Sequence, residues 1–501
     1  MAMSRCLPGS SRSKGAVRLL HPCLVALALV AGAPRGRLSA QDLPPEIQYR
    51  LTYDRTGADE VTVELSWSPP LDGPRALVMP RAIPMGYGEQ RYDTFLREVT
   101  ATSPSGGSEP KRDEGPRWIL PARTSRVSYR VNLRAMERQV YSASDASRLR
   151  EGYLSALGYS VFAFVDGFES RPARLRVAGP EAWPVFSTLA PRWPYAAGAV
   201  EATAADFYEL ADSQIVMGPR AEVRRLLDVP VPLYLASYVE GPVDLDRLGR
   251  LASTAFERVV TYFGSVPFRH YTVQQELLQP LSPRHEYGMS MEHLGSSTYY
   301  LLASAGITPQ STAQDDARVL YNFAHHVAHA WVPKRVSSVG YFPFQWELAP
   351  VLDSIWFAEG FGQYAAIMAV AEGTADPAGY RADMMARRFQ SNLVSAPPFL
   401  RRLSLVELSR VASTRYSEDF RTGRLVFSRG GLMAAALDER IQERSGRRTS
   451  LRDAFRFLLV WAARERRGFA IDELASLIEQ ATGVDTRDVI DTWLRPLPPT
   501  P

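Results

Sequence analysis

Two neighbouring segments decide how this chain reads: residues 321–336, YNFAHHVAHAWVPKRV, and residues 343–364, PFQWELAPVLDSIWFAEGFGQY. His325 and His329 stand four apart in a stretch of helical apolar spacing. A helix puts positions i and i+4 on one face, one turn apart, so both imidazoles can reach one cation. Glu359 follows in WFAEG. Two imidazoles and a carboxylate leave the fourth position of a zinc ion free for water, which is the plan of catalytic zinc sites. Affinity order alone does not select zinc over other divalent metals. Taken by itself, the histidine pair also fits two buried, hydrogen-bonded helix residues; the carboxylate downstream in WxxEG favours the metal.

The pattern departs from its usual form. Zinc-dependent peptidases of this kind carry H-E-x-x-H, in which the glutamate is the general base. Here that position is His326.

Outward from these segments the chain has the composition of an ordinary globular protein, 46% hydrophobic and 22% charged over 501 residues. That length predicts about three domains. Arg5, Arg12, Lys14 and Arg18 precede the short apolar run CLVALALVAGA (residues 23–33), and LSA (38–40) is a cleavage site before Gln41. This is the layout of a secretory signal peptide over residues 1–40, and it predicts a secreted or periplasmic protein. The apolar run is short for a membrane span, so membrane attachment is expected only if the segment stays uncleaved. Cys6 and Cys23 both fall in it, so the mature chain has no thiol chemistry. Removing its six Lys/Arg takes the formal charge from +4 to −2, and nothing points to nucleic acid.

Residues 41–225 read as a β-rich domain. Strands are expected at 47–53, 61–67, 127–133 and 160–165, separated by turns such as Gly57-Ala58-Asp59 and Pro69-Pro70. Residues 226–375 read differently: strands at 233–239 and 271–278, and a helix capped by Asp244 and stopped by Gly264. An edge strand or tight loop follows at 287–293. Pro309 is expected to open the helix carrying the two histidines, and a second helix, about 353–371, carries Glu359. Residues 376–501 read as helical, with Ser450, Asp472 and Asp485 as caps.

Several motifs together resemble the glycyl-aminopeptidase family of gluzincin metallopeptidases. HHVAHAWVPKRV resembles its HExxHxWNVKRI, and PFQWE followed by IWFAEGFGQY resembles its PFDYxxE…LWxxEGxTxYY. The 29 residues between His329 and Glu359 are similar to its long spacer. Residues 290–293 (SMEH) resemble G-L-E-H, and residues 426–430 (VFSRG) with Leu437-Asp438 resemble Y-Y-x-K-G…L-D. LVMPRAIPMGYG (77–88) and LADSQI (210–215) resemble parts of its amino-terminal domain.

The resemblance implies an α+β multidomain fold: a β-rich N-terminal domain, a thermolysin-like gluzincin catalytic domain and a helical C-terminal domain. It implies one zinc held by His325, His329 and Glu359, and Glu292 as the carboxylate that holds a peptide's free amine. Two matched positions depart from it. His326 replaces the general-base glutamate, and Phe427 replaces the tyrosine that donates to the oxyanion. A general base contributes about 100- to 10,000-fold in rate, and an oxyanion donor about 100- to 1,000-fold. The expectation is therefore a secreted pseudopeptidase that binds peptide or protein N-termini. The alternatives are an active zinc aminopeptidase releasing small N-terminal residues with a non-standard base, and a scaffold without a ligand role.

Overall fold

Strands and helices form where side-chain periodicity demands them, in a computed structural model that describes residues 46–498 apart from 55–57, 141–144, 284, 286 and 417. The signal segment with its two cysteines, and Gly57 of the first turn, lie outside the described residues. Along Ile47–Thr52, Glu60–Ser66 and Arg126–Asn132 buried and less buried residues alternate, as period-two sequence requires. These three are neighbours in a seven-stranded sheet completed by Leu96–Ser103, Gly106–Ser108, Ala173–Ala178 and Val200–Ala204. Two four-stranded sheets share its core, where Leu51, Val63 and Val127 meet Leu77, Leu154 and Ile215.

The segment expected as a strand at 160–165 is instead a helical turn, Gly158–Val161, followed by a two-residue strand, Phe164–Val165. The turn packs under the carbonyls of Leu210 and Ala211 so closely that a Cβ on Gly158 would lie 2.5 Å from the first. Tertiary contact overrides the local β-propensity here.

The central region is a five-stranded sheet in the order Glu222–Leu227, Leu233–Val239, Tyr271–Leu278, Ser296–Leu302, Gly288–Glu292. The three middle strands run parallel and the two edge strands antiparallel to them. Tyr271–Leu278 is buried at every position, as a strand covered on both faces must be. Helix Leu245–Phe263 begins at Asp244, whose carboxylate accepts from the Arg247 N–H, and stops at Gly264 with φ 72°. Helix Ala313–Ala328 packs with it against the sheet. Its start lies later than Pro309 suggests, because Thr312 and Asp315 form a reciprocal capping box that fixes the first turn. The remaining chain is helical, dominated by the 26-residue helix Phe420–Ser445. Its side chains share one core with the central region. Ser450 caps as expected. Asp472 lies inside a 3-10 turn rather than at a cap. Asp485 accepts from the Arg487 N–H one residue before the helix boundary at Thr486. No helix among the described residues is long and apolar enough to cross a membrane.

The N-terminal and central regions are joined by a buried polar cluster. Asp212, from the LADSQI segment, accepts from Lys334 Nζ at 3.1 Å and from the Leu294 N–H at 2.6 Å, and meets His293 Nδ1 at 3.0 Å. Lys334 also donates to the Pro84 carbonyl at 3.0 Å. Burial raises the Asp212 pKa, but the Lys334 and His293 side chains outweigh it and hold the carboxyl below its usual range. Its stabilising contribution is therefore present above pH ~4 and lost as the pH falls through the lower folded value. Removing one partner of a buried pair leaves the other charge uncompensated, which costs about 3–5 kcal/mol. Asp212→Ala should lower the unfolding free energy by that amount in a denaturant titration at neutral pH. A midpoint equal to wild type would remove the cluster from any structural role.

Candidate metal centre

The histidine helix ends at His329, its C-cap residue, where the backbone turns away into residues 330–336. This geometry aims the ring. His329 Nδ1 donates to the Val332 carbonyl at 2.7 Å, which leaves Nε2 directed at His325 Nε2, 2.8 Å away. A partner on one ring nitrogen fixes which nitrogen faces a metal. Glu359 Oε2 lies 3.5 Å from the first imidazole's Nε2, that of His325, and 3.6 Å from that of His329.

Glu359 does not sit on regular α-helix. It lies in a π-helical turn, Trp356–Phe361, that leads into the helix Gly362–Ala371. Such turns are common at functional sites because the extra residue re-aims a side chain. Small residues hold the turn in place. A Cβ on Gly430 would lie 2.0 Å from the Trp356 carbonyl oxygen, and one on Gly360 would lie 2.4 Å from the Gly430 carbonyl carbon. The GG pair of helix Phe420–Ser445 thus lets two backbones touch directly behind Glu359. A Cβ on Gly362 would lie 3.0 Å from His329 Cε1, so this glycine leaves room for the ring.

The donor set fits a divalent cation. All three ligand atoms lie within 4.8 Å of one another and are largely buried. Donors about 2.0–2.2 Å from a tetrahedral zinc stand roughly 3.4 Å apart, which two of the three separations match. The third, between the imidazoles, is a hydrogen bond, and charge explains it. Burial lowers the His329 pKa, but Glu292 and Glu359 outweigh it and raise it to about 9. Burial pushes His325 down to about 4, with His329 adding to the effect. Burial opposes ionisation of Glu359, yet the two imidazoles hold it well below the carboxylate range. A proton on His329 thus occupies the place that three converging lone pairs would give to a cation.

His326 faces the other way along the helix. Its Nε2 is 2.6 Å from Ser290 Oγ, and its Nδ1 is 3.9 Å from Glu292 Oε2, with no hydrogen-bond partner. Burial, then His325 and His329, hold its pKa well below the usual value. Glu292, His326 and His329 form a second compact donor group, so His326 sits on the Glu292 side of the cluster rather than between His325 and Glu359. Glu292 is buried at the end of the edge strand Gly288–Glu292. Phe427 is half-buried, its ring 5.5 Å from that of Tyr416 and 6.4 Å from that of Tyr87. The structure therefore brings five of the six expected residues to the wall of one cleft of about 670 Å³, with the sixth, His329, buried just behind it against His325.

Three cleft residues escape sequence reasoning. The Tyr87 hydroxyl donates to Glu359 Oε1 at 3.1 Å. Tyr416 lines the cleft beside Phe427, its pKa raised by burial and by the two glutamates. Ser290 meets His326. Tyr87 lies in LVMPRAIPMGYG and Ser290 in SMEH, so both motifs were visible while the contacts were not.

Residues 48–219 match the family model of the peptidase M61 N-terminal domain, and residues 318–419 match that of M61 glycyl aminopeptidase. Together they cover more than half of the chain. Among solved structures, the fold is similar to an aminopeptidase N family protein of Idiomarina loihiensis, with TM-score 0.78 and 19% identity over 91% of this chain and 77% of that one. It is also similar to an M1 zinc metallopeptidase of Deinococcus radiodurans, described as bound to a Tyr-Ser-Ala substrate, with TM-score 0.54 and 16% identity over 91% and 94%. No curated protein matches the sequence at a significant level. With both family domains in order, and with a β-rich N-terminal region, a central catalytic domain and a helical C-terminal region, the chain belongs to the M61 glycyl aminopeptidase family.

Proposed function

We propose that this is an exported, zinc-holding pseudopeptidase that binds peptides or proteins by their free N-termini and lacks the hydrolytic route of its family. One observation carries the reading: three donors converge as a metal site needs, while the two positions that would do the proton and oxyanion chemistry hold His326 and Phe427. His325, His329 and Glu359 would hold the zinc, which supplies Lewis acidity when bound. The buried Glu292 carboxylate would accept a charge-assisted hydrogen bond from the peptide's ammonium. A tripeptide substrate in the Deinococcus radiodurans relative supports a peptide ligand. His326 is held between Ser290 and Glu292 and offers no carboxylate at the position of the family's base. Phe427 has no donor to offer an oxyanion.

A second reading, an active zinc aminopeptidase, is favoured by Tyr416, whose ring packs on Phe427 in the same cleft. Its hydroxyl would replace the missing donor. In that case wild type hydrolyses amino-acyl substrates, and Tyr416→Phe loses about 100-fold or more.

Metal loading should be visible as proton release. His329 is raised to about 9 in the metal-free fold and must be neutral to bind. Calorimetric zinc titration in two buffers of different ionisation enthalpy should give about one zinc and nearly one proton released per chain at pH 7–8. The release should fall to about half near pH 9 and vanish well above it. His325→Ala and Glu359→Ala should lose the metal, and equal zinc content in these variants would overturn the ligand set. The sign for metal-free stability is opposite to that of a carboxylate. The raised His329 stabilises fully below pH ~6.5, and the contribution is lost as the pH rises through about 9.

Kinetics test the loss of the hydrolytic route. Wild type should bind free-amine peptides more tightly than acetylated ones, with Glu292→Gln erasing the difference. The double variant His326→Glu with Phe427→Tyr should hydrolyse amino-acyl substrates at least about 100-fold faster than wild type. The gain should exceed the product of the two single effects, because groups serving one transition state act as a unit. Ordinary enzyme rates in wild type would overturn the pseudopeptidase reading.

A further inference from the structure

The two departures at Ser290 and His326 touch each other. Ser290 stands where the G-L-E-H motif has glycine, and His326 where H-E-x-x-H has glutamate. Neither side chain serves the metal route described above. Ser290 Oγ lies 2.6 Å from His326 Nε2. On the far side of the ring, His326 Nδ1 is buried, without a hydrogen-bond partner, and 3.9 Å from Glu292 Oε2. His326 as a whole is 8% exposed and Glu292 4%. Hydroxyl, imidazole and carboxylate thus follow one another in the order of a serine-hydrolase triad, which is recognised by geometry rather than by sequence position. The longer imidazole–carboxylate gap is what such sites show before substrate tightens them.

We propose that Ser290 is a nucleophile activated by His326, with Glu292 as the positioning carboxylate, and that the cleft accepts acyl groups from esters and activated amides onto Ser290. The inference does not rest on zinc. With the imidazole proton on Nδ1, facing Glu292, the Nε2 lone pair accepts from Ser290 O–H. Oγ attacks the carbonyl carbon, the C–O bond forms, and the carbonyl π pair moves onto its oxygen while the Oγ proton passes to Nε2. Collapse breaks the bond to the leaving group, which takes that proton from Nε2. The product is an O-acyl serine. Water then repeats the sequence and returns Ser290 with release of the carboxylic acid.

Location supports the assignment. Ser290 lies on the edge strand Gly288–Glu292, which pairs on one side only, with Ser296–Leu302. An edge strand keeps backbone N–H groups that its sheet does not use, and such groups can stabilise an oxyanion. All five residues of the strand line the cleft. Ser290 is only partly buried, so a substrate can reach its hydroxyl.

The test uses the full mature protein, with chelator and separately with zinc, treated with a tagged fluorophosphonate and with p-nitrophenyl acetate. The expected result is one label per chain on the peptide containing Ser290, formed with or without chelator, and a nitrophenol burst of about one equivalent. Ser290→Ala should abolish both. His326→Ala and His326→Gln should slow labelling by about 100-fold or more. Glu292→Gln should slow it less, and Glu292→Asp should recover part of the rate. Folded wild-type protein that takes no label, or takes it elsewhere, would overturn the proposal whatever its metal content. Labelling of a protein that binds no zinc would leave the nucleophile standing and remove the zinc reading instead.

Discussion

The cleft depends on a single buried carboxylate. Asp212 draws together three segments far apart in the chain: its own LADSQI stretch, the His293-Leu294 end of the edge strand, and Lys334 beyond the histidine helix. A carboxylate with no solvent is tolerable only when its lone pairs are taken and its charge is matched. Lys334 and the Leu294 N–H meet that demand, so the three segments are held at hydrogen-bond distance. The consequences reach the site through covalent neighbours. Glu292 and Ser290 lie on the short strand that ends just before His293, and His329 lies five residues before Lys334. Lys334 also holds the Pro84 carbonyl, three residues from the Tyr87 that donates to Glu359. The N-terminal region thus builds one wall of the cleft rather than merely flanking it.

Sequence reading succeeded where a local chemical rule decides the outcome. Asp244 and Gly264 bound their helix because a carboxylate accepts from the first turn and only glycine takes the left-handed stop easily. Strand Leu233–Val239 was legible because a buried parallel strand reads as a largely apolar run, whereas Tyr271–Leu278 is buried throughout although it carries Thr272, Gln274, Gln275 and Glu276. The family motifs gave the three donors and Glu292. Reading failed where distant contacts decide. Pro309 resembled a helix start, yet the Thr312–Asp315 capping box sets it. The segment at 160–165 has β-branched character, yet the carbonyls of Leu210 and Ala211 close over a helical turn. The π-turn at Glu359 follows from the glycine contact with residues 430–431, which lie some 70 residues further along the chain. The pairing of Ser290 with His326 was invisible for the same reason: both residues could be seen, but not the 2.6 Å between them.

The exchange of glutamate for histidine at 326 also changes the charge of the centre. Glu292 and Glu359 already place two formal negative charges around His325 and His329. A third carboxylate at 326, the family's arrangement, makes three in a pocket where little water screens them. Without a metal, such a cluster must take up protons or distort. With histidine there, one proton on His329 leaves a net single negative charge, and that proton lies between two imidazoles in a good hydrogen bond. The metal-free site is therefore closer to electrostatic balance than its family counterpart.

The same accounting applies to the loaded site. A dication with two carboxylates and neutral imidazoles is neutral, whereas a third carboxylate would leave it negative. In the binding role proposed above, an incoming ammonium at Glu292 would feel the local carboxylate but no net negative field, so recognition would come from direct contact with Glu292 rather than from long-range attraction. His326 also occupies one side of that carboxylate, at 3.9 Å from Oε2. Glu292 has two oxygens and can serve an ammonium on one while orienting an imidazole with the other. Histidine at 326 thus lowers the negative charge around the metal ligands and removes the family's proton acceptor, and together with serine at 290 it brings an imidazole between a carboxylate and a hydroxyl. The chemistry left to the cleft is the chemistry of that pair.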